Sequence, residues 1–541
     1  MLNSVEPMNK ARCLRVIRVL LFLLGGLQTD LTARSSSLDA IGVTLLRAVT
    51  TNVDGNGIRV AQSEAGAPGF EVNPADTWVQ QPANLFTYIT SSGTTNNFPN
   101  SLGTDSPHAD EVASNFYGLP AGIATNVAHV DNYDANSFIQ VSEQIIGSST
   151  NYIVTLPSSN IDDPVVNQSF IFTGPTVPEQ QAVDSAYDNY AARYNTLFVS
   201  AAGNVGPTGP PATSYNGIGV GDYGGGSSFG PTLDNGRAKP DITAPEGYSS
   251  FSTPEVSGAA ALLMQAGLRG DGGSDTNSPA DIRTVKALLL NGAIKPADWT
   301  NNPPSPLDPR YGAGVLNVFN SYKQLTGGKH GYIVAATVPL GNPHPPTGAG
   351  GTVGALSGWD FNTITSGAAA DEINHYYFNV TNGSSNAAFT ATATLVWNRQ
   401  LNKTNLNNLD LFLYDAGSSN LVAASTSVVD NVEHLWLPQL PPGRYDLQVL
   451  KNGGLNPASN TETYALAFEF FSLSLKVTPA GTNVLLTWPI YPTGFTLNTT
   501  TSLTPPIAWN ALNATSTETN GQNQVTWGVS NTSQFFRLYR P

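Results

Sequence analysis

Residues 247–264 read G-Y-S-S-F-S-T-P-E-V-S-G-A-A-A-L-L-M. The first half is small and hydroxyl-rich, as a turn requires. From Val256 the residues are small and apolar on every side, which predicts a helix buried in a core. Pro254 is expected in the first turn of that helix, where a missing N–H costs little. The segment therefore presents a serine at the N-terminus of a buried helix. Free N–H groups and the helix dipole favour negative charge there, as an acyl-transfer reaction needs where its oxyanion develops.

Upstream, three stretches carry the side chains such a serine would need. G-N-G-I-R-V-A-Q-S-E-A-G, Gly55 to Gly66, reads as a turn and a short buried strand with Glu64 at its carboxyl end. Sites in open α/β sheets form outside such ends. H-A-D-E-V-A-S begins a helix at His108, with Asp110 favourably placed in an early turn. T-L-F-V-S-A-A-G-N reads as a buried parallel strand whose exit is made tight by Gly203 and which ends on Asn204. Of six histidines, only His108 and His129 lie between Glu64 and Ser250, and His129 sits in a strand-like context that suits a structural role. By themselves these residues leave simpler roles open: Glu64 as a solvated strand-end charge, Asn204 as a turn residue, and the serine stretch as an ordinary loop before a core helix.

Taken together, S-S-F-S-T-P-E-V-S-G resembles the nucleophile motif of the subtilisin-like (subtilase) family, G-T-S-[MF]-[AS]-x-P-x-V-[AS]-G, with Ser250 in the nucleophile's place. Ser249 stands where the family has threonine, and Tyr248 where it has glycine. The Gly55–Gly66 stretch resembles the family's aspartate strand, with Glu64 replacing aspartate. H-A-D-E-V-A-S resembles H-G-T-H-V-A-G, with Ala109 and Asp110 departing from it. F-V-S-A-A-G-N resembles the oxyanion signature. V-V-N-Q-S-F-I-F, Val165 to Phe172, resembles the strand that lines the substrate cleft; Ile171 replaces a glycine there and is expected to narrow the cleft. S-S-F-G-P-T-L-D-N-G-R-A-K-P-D-I-T-A-P is the longest match.

The resemblance covers about residues 40–325 and implies an α/β domain, with a mostly parallel sheet and helices on both faces. It implies a serine endopeptidase acting on polypeptide. Ser250 would be the nucleophile, His108 the base, Glu64 the orienting acid and Asn204 an oxyanion donor, with Ser169, Phe170 and Gly203 against the substrate. Two rivals stay open: a subtilase-fold binding or adhesion protein without strong activity, and a sedolisin-type enzyme. No organic cofactor is required; structural calcium is left open, since Asp410 and Asp415 are too few carboxylates for a site.

The 541 residues suggest about three domains. The net charge of −15 argues against nucleic acid as a partner. Lys10, Arg12, Arg15 and Arg18 precede V-L-L-F-L-L-G-G-L, which reads as a signal peptide over 1–33. The expected location is secreted or at the cell surface. The single cysteine, Cys13, lies inside that segment, so the mature chain would hold no disulfide. Between the signal and Gly55 there is too little length for an inhibitory pro-region. The catalytic domain is expected over 40–328. Alternating short strands then predict a jelly-roll-like β-sandwich over 345–471 and an immunoglobulin- or fibronectin-like β module over 472–541. The last module is a candidate for contact with carbohydrate or a cell surface.

Overall fold

The computed structural model describes residues 37–539, apart from 67–68, 147–148, 225, 342–343, 382–387, 455–456, 474, 491–494, 520–521 and 529–532. The signal segment and Cys13 lie outside the described residues. The first ten strands are β1 (Arg59–Glu64), β2 (Phe86–Thr90), β3 (Gly93–Thr95), β4 (His129–Asp134), β5 (Gln140–Ile146), β6 (Ser149–Thr155), β7 (Val165–Gln168), β8 (Leu197–Ala201), β9 (Ile218–Asp222) and β10 (Ile242–Ala244). Eight of them form one sheet in the order β10-β9-β8-β7-β1-β4-β2-β3. Every neighbouring pair is parallel except the hairpin β2–β3. β5 and β6 form a separate antiparallel ribbon. Helices cover the sheet, so its central strands read as continuous apolar runs; all five residues of β8 are buried.

Strand order reverses at β1, which lies between β4 and β7. A crevice opens outside the carboxyl ends of strands at such a reversal. Glu64 ends β1, Ser169 follows β7, and Gly203 follows β8 by two residues. β7 is therefore a central strand, and only the stretch beyond its end is open to pairing.

The serine helix, Ser249–Leu268, packs across β7, β8 and β9. Every residue from Ser252 to Gly267 in it is buried. It starts earlier than expected, so Pro254 lies inside the helix and not in its first turn. The histidine helix, Pro107–Phe116, is capped by Ser106, whose Oγ accepts from the Ala109 N–H at 3.3 Å. The two helices touch through Gly258. A Cβ there would meet the Ile123 side chain at 2.6 Å and the Phe116 carbonyl at 3.4 Å. A glycine at this position lets one helix approach the other and so sets the spacing of His108 and Ser250.

Nine further strands form two antiparallel sheets. β11 (Val334–Pro339), β13 (Ala370–Val380), β15 (Leu409–Asp415), β16 (Leu421–Ser425) and β18 (Gly443–Lys451) make one; β12 (Ser357–Thr365), β14 (Phe389–Trp397), β17 (Val432–Leu440) and β19 (Thr461–Phe471) make the other. They share a core that includes Tyr376, Phe378, Trp397, Leu411, Leu447 and Phe468, consistent with a β-sandwich. The last 70 residues carry two smaller antiparallel sheets around Leu486, Trp488, Leu497 and Val525.

Candidate active site

Glu64 is 2 % exposed at the end of β1. Its Oε2 lies 2.9 Å from Nδ1 of His108, the second residue of the histidine helix. Its Oε1 accepts from Gln62 Nε2 at 2.9 Å. The same amide nitrogen donates to the Ala109 carbonyl at 2.9 Å, and Gln62 Oε1 accepts from the Tyr117 hydroxyl at 2.5 Å. Gln62 thus ties the carboxylate strand to the helix that carries the imidazole. Burial acts to lower the His108 pKa, but the Glu64 charge and hydrogen bond, with the more distant Glu111, outweigh it and hold the imidazole above its ordinary value. With Nδ1 engaged, Nε2 has no hydrogen bond among the described residues, and the ring centroid lies 5.5 Å from that of Phe251.

Ser250 is the second residue of its helix, and its N–H has no partner among the described residues. Its Oγ lies 3.5 Å from the Ser169 carbonyl. The structure does not join Ser250 Oγ to His108 by a hydrogen bond. Its carbonyl accepts from Ser169 Oγ at 2.7 Å. The cause is Pro254: an N–H at that position would bond the Ser250 carbonyl one helical turn back, and proline has none. Ser169 fills the vacated place.

Asn204 follows Gly203, whose φ of +103° suits glycine. Asn204 Oδ1 accepts from the Ser249 N–H and from Ser249 Oγ, each at 2.9 Å, and Ser249 Oγ accepts from the Gly203 N–H at 3.2 Å. Because Oδ1 receives two donors, the orientation of the amide is fixed, and Nδ2 stays without a partner among the described residues. Two donors, Asn204 Nδ2 and the Ser250 N–H, are therefore unspent beside the serine.

Phe170 is 3 % exposed and belongs to the core, so only its backbone faces the crevice. His129 is tied up elsewhere: Nε2 lies 2.8 Å from Thr87 Oγ1 and 3.3 Å from Asp131. Asp110 is buried in the first turn of the histidine helix and accepts from the Asn73 N–H at 2.7 Å. Burial raises its carboxyl, Asn73 opposes this, and Asp105 and Asp76 add to the rise. Sequence reasoning missed Gln62 and the part Ser249 plays. Gln62 stands two residues before Glu64, on the same strand face, and that spacing was the available signal.

The two acids weighed for calcium are engaged within the protein. Asp415 accepts from the Gly417 and Ser418 N–H groups of a turn, at 2.9 and 2.7 Å. Asp410 is buried on β15 beside Asn408. Among the described residues, no three His, Cys, Asp or Glu side chains gather to hold a metal.

None of the curated proteins matches this chain. Similar solved structures include the prenylagaramide maturation protease PagA, at 21 % identity over 53 % of this chain and 99 % of that one, with a TM-score of 0.34. A protease from Pseudoalteromonas arctica is 16 % identical over 50 % of this chain and 91 % of its own, with a TM-score of 0.31. Tripeptidyl peptidase 2 is 13 % identical over 73 % of this chain and 43 % of its own, with a TM-score of 0.30. Residues 92–314, the span that holds His108, Ser169, Asn204 and Ser250, match the subtilase family, and Glu64 lies upstream of the match.

Proposed function

We propose that this chain is a serine endopeptidase whose triad is Ser250, His108 and Glu64. The observation that carries the reading is the 2.9 Å contact between His108 Nδ1 and the buried Glu64 carboxylate, which leaves Nε2 free. That contact fixes the tautomer in which Nε2 accepts a proton and stabilises the imidazolium that results. The reading requires Ser250 Oγ to turn off the Ser169 carbonyl and toward the imidazole. Such bonds are commonly long without substrate. Oγ then attacks the scissile carbonyl as its proton passes to Nε2. The Ser250 N–H and Asn204 Nδ2 receive the oxyanion. The imidazolium returns its proton to the leaving amine, and water releases the acyl group by the same route.

The glutamate is one methylene longer than the family's aspartate, and Gln62 supports this role by holding its second oxygen. The basic and apolar run before residue 34 supports export, and polypeptide is the proposed substrate. We assign the terminal β module over 472–541 no partner beyond the expectation of a surface or carbohydrate contact.

The test is labelling by a fluorophosphonate and hydrolysis of an unfolded polypeptide, in the wild type and in Ser250→Ala. The wild type is expected to do both and Ser250→Ala neither, with an unchanged circular dichroism spectrum. A wild type that is neither labelled nor hydrolytic between neutral and mildly alkaline pH would overturn the proposal.

A further inference from the structure

We infer that Ile171 closes the pocket for the substrate side chain on the acyl side of the cleaved bond, so that this chain cuts after glycine, alanine or serine and not after large residues. The inference rests on the peptidase reading and names its substrate class. It starts from backbone groups. Beyond the end of β7, Phe170 and Ile171 make no backbone hydrogen bond among the described residues. Unpaired N–H and C=O groups on an extended segment are a template for a peptide strand. The residue before them, Ser169, is bonded to Ser250 through the 2.7 Å contact to its carbonyl. A peptide paired with 170–171 therefore carries its carbonyl to the serine.

Side chains on an extended segment alternate. Phe170 turns into the core, where its ring lies 6.5 Å from that of Phe172. Ile171 turns the other way and is only partly buried. There it meets the opposite wall: a Cβ on Gly203 would lie 3.1 Å from Ile171 Cδ1. Gly203 immediately precedes the oxyanion donor Asn204. A Cβ on Gly209, further along the same loop, would lie 3.9 Å from the Ile171 Cβ. Bare glycine backbone on one wall would leave room for a large side chain, but the branched side chain of Ile171 occupies it. Ser228 Oγ, itself buried, stands 2.8 Å from the same Gly203 Cβ position, so the space in front of that glycine is filled by Ser228 as well as by Ile171.

The experiment uses peptide anilides identical except for the residue that donates the scissile carbonyl: Gly, Ala, Ser, Leu or Phe. The full chain is compared with Ile171→Gly and the milder Ile171→Ala, each checked by thermal melting. The wild type is expected to favour Ala over Phe by about tenfold or more in kcat/KM, and Ile171→Gly to raise Phe by about tenfold or more while Ala stays within about threefold. Leu or Phe cleaved as fast as Ala by the wild type, or variants that shift every substrate equally, would overturn the inference. If the wild type hydrolyses none, the peptidase reading fails, and the pocket is then read by binding. Calorimetry of Ser250→Ala with peptides ending in Ala or Phe, before and after Ile171→Gly, separates the two: tighter binding of the Ala peptide that is lost on opening the pocket upholds it, and equal affinities in the parent sink it.

Discussion

Glu64 is the departure on which the chemistry turns. Its charge and hydrogen bond are what hold the His108 pKa up against the lowering effect of burial. A base must be neutral to act, so kcat/KM is expected to rise with pH through an apparent pKa above the free imidazole value of about 6.5. In Glu64→Gln both contributions weaken, so the pKa falls and the acid limb moves to lower pH. The rate falls as well, on the order of 10⁴-fold, because the amide accepts the wrong tautomer as readily as the right one. A pH–rate profile of the variant checks both; a rate loss with the limb unmoved would leave Glu64 a packing role only. Asn204 makes a different claim. Its Nδ2 is unspent while Oδ1 is held by Ser249. Asn204→Ala is expected to lower kcat by about 10²–10³-fold with KM little changed, the signature of a contact made in the transition state.

The serine helix shows how far single elements were legible. Its apolar body announced itself, because a run of small apolar residues on every face fits only a buried helix, and Ser252–Gly267 is buried throughout. Its start was not legible. G-Y-S-S-F reads locally as a turn, and what recruits Ser249 into the helix is Asn204, 45 residues away, accepting its N–H. For the same reason Pro254 looked harmless at an N-terminus and instead sits inside, where it removes the bond to the Ser250 carbonyl. The arrangement predicts a double-mutant cycle. Ser169→Ala leaves that carbonyl unpaired and takes an acceptor from Asn167 Nδ2, which lies 3.0 Å from Ser169 Oγ. The expected cost is about 1–3 kcal/mol in denaturant unfolding. Pro254→Ala restores an N–H that can bond the carbonyl, so Ser169→Ala is expected to cost measurably less in the Pro254→Ala background. Equal costs in both backgrounds would show that the two residues do not compete for one acceptor. The place of β7 is illegible on similar grounds: V-V-N-Q carries the pattern of a strand, but whether a strand is central or at an edge depends on β1 and β8, which lie far off in the chain.

At the scale of the molecule, sequence showed a shift from alternating helices and strands to short strands alone, and the order of the sheets follows it. It did not show that the core of the first region runs on into the second. Trp359, Val396, Val432, Ala465 and Ala467 of the β-rich region belong to the same buried cluster as the strands and helices around Ser250. Polar contacts seal the boundary. Asn291, on the helix Ile282–Gly292, accepts from Thr392 and Thr394 Oγ1 at 2.9 and 3.0 Å. Arg399 lies 2.7 Å from Asp188, both nearly fully buried, and its N–H donates to Asn216. Asn431 donates to the Tyr215 carbonyl, and Asp430 accepts from the Ala238 N–H. A cut after residue 328 would bare this apolar surface to water and remove the partners of Asp188 and Asn291. The lost burial falls on a net stability of only about 5–15 kcal/mol. The terminal module is different, because its core of Leu486, Trp488, Leu497 and Val525 is its own, and among the described residues only Ile490 reaches the larger cluster. Removal of residues 473–541 is therefore expected to leave the melting of the remainder within a few degrees, whereas removal of 329–541 yields an insoluble or unfolded chain. Scanning calorimetry of the two truncations decides it: a soluble 1–328 fragment that melts like the parent would mean that the first β-rich region is an attachment and not a part of the fold that holds His108 and Ser250 together.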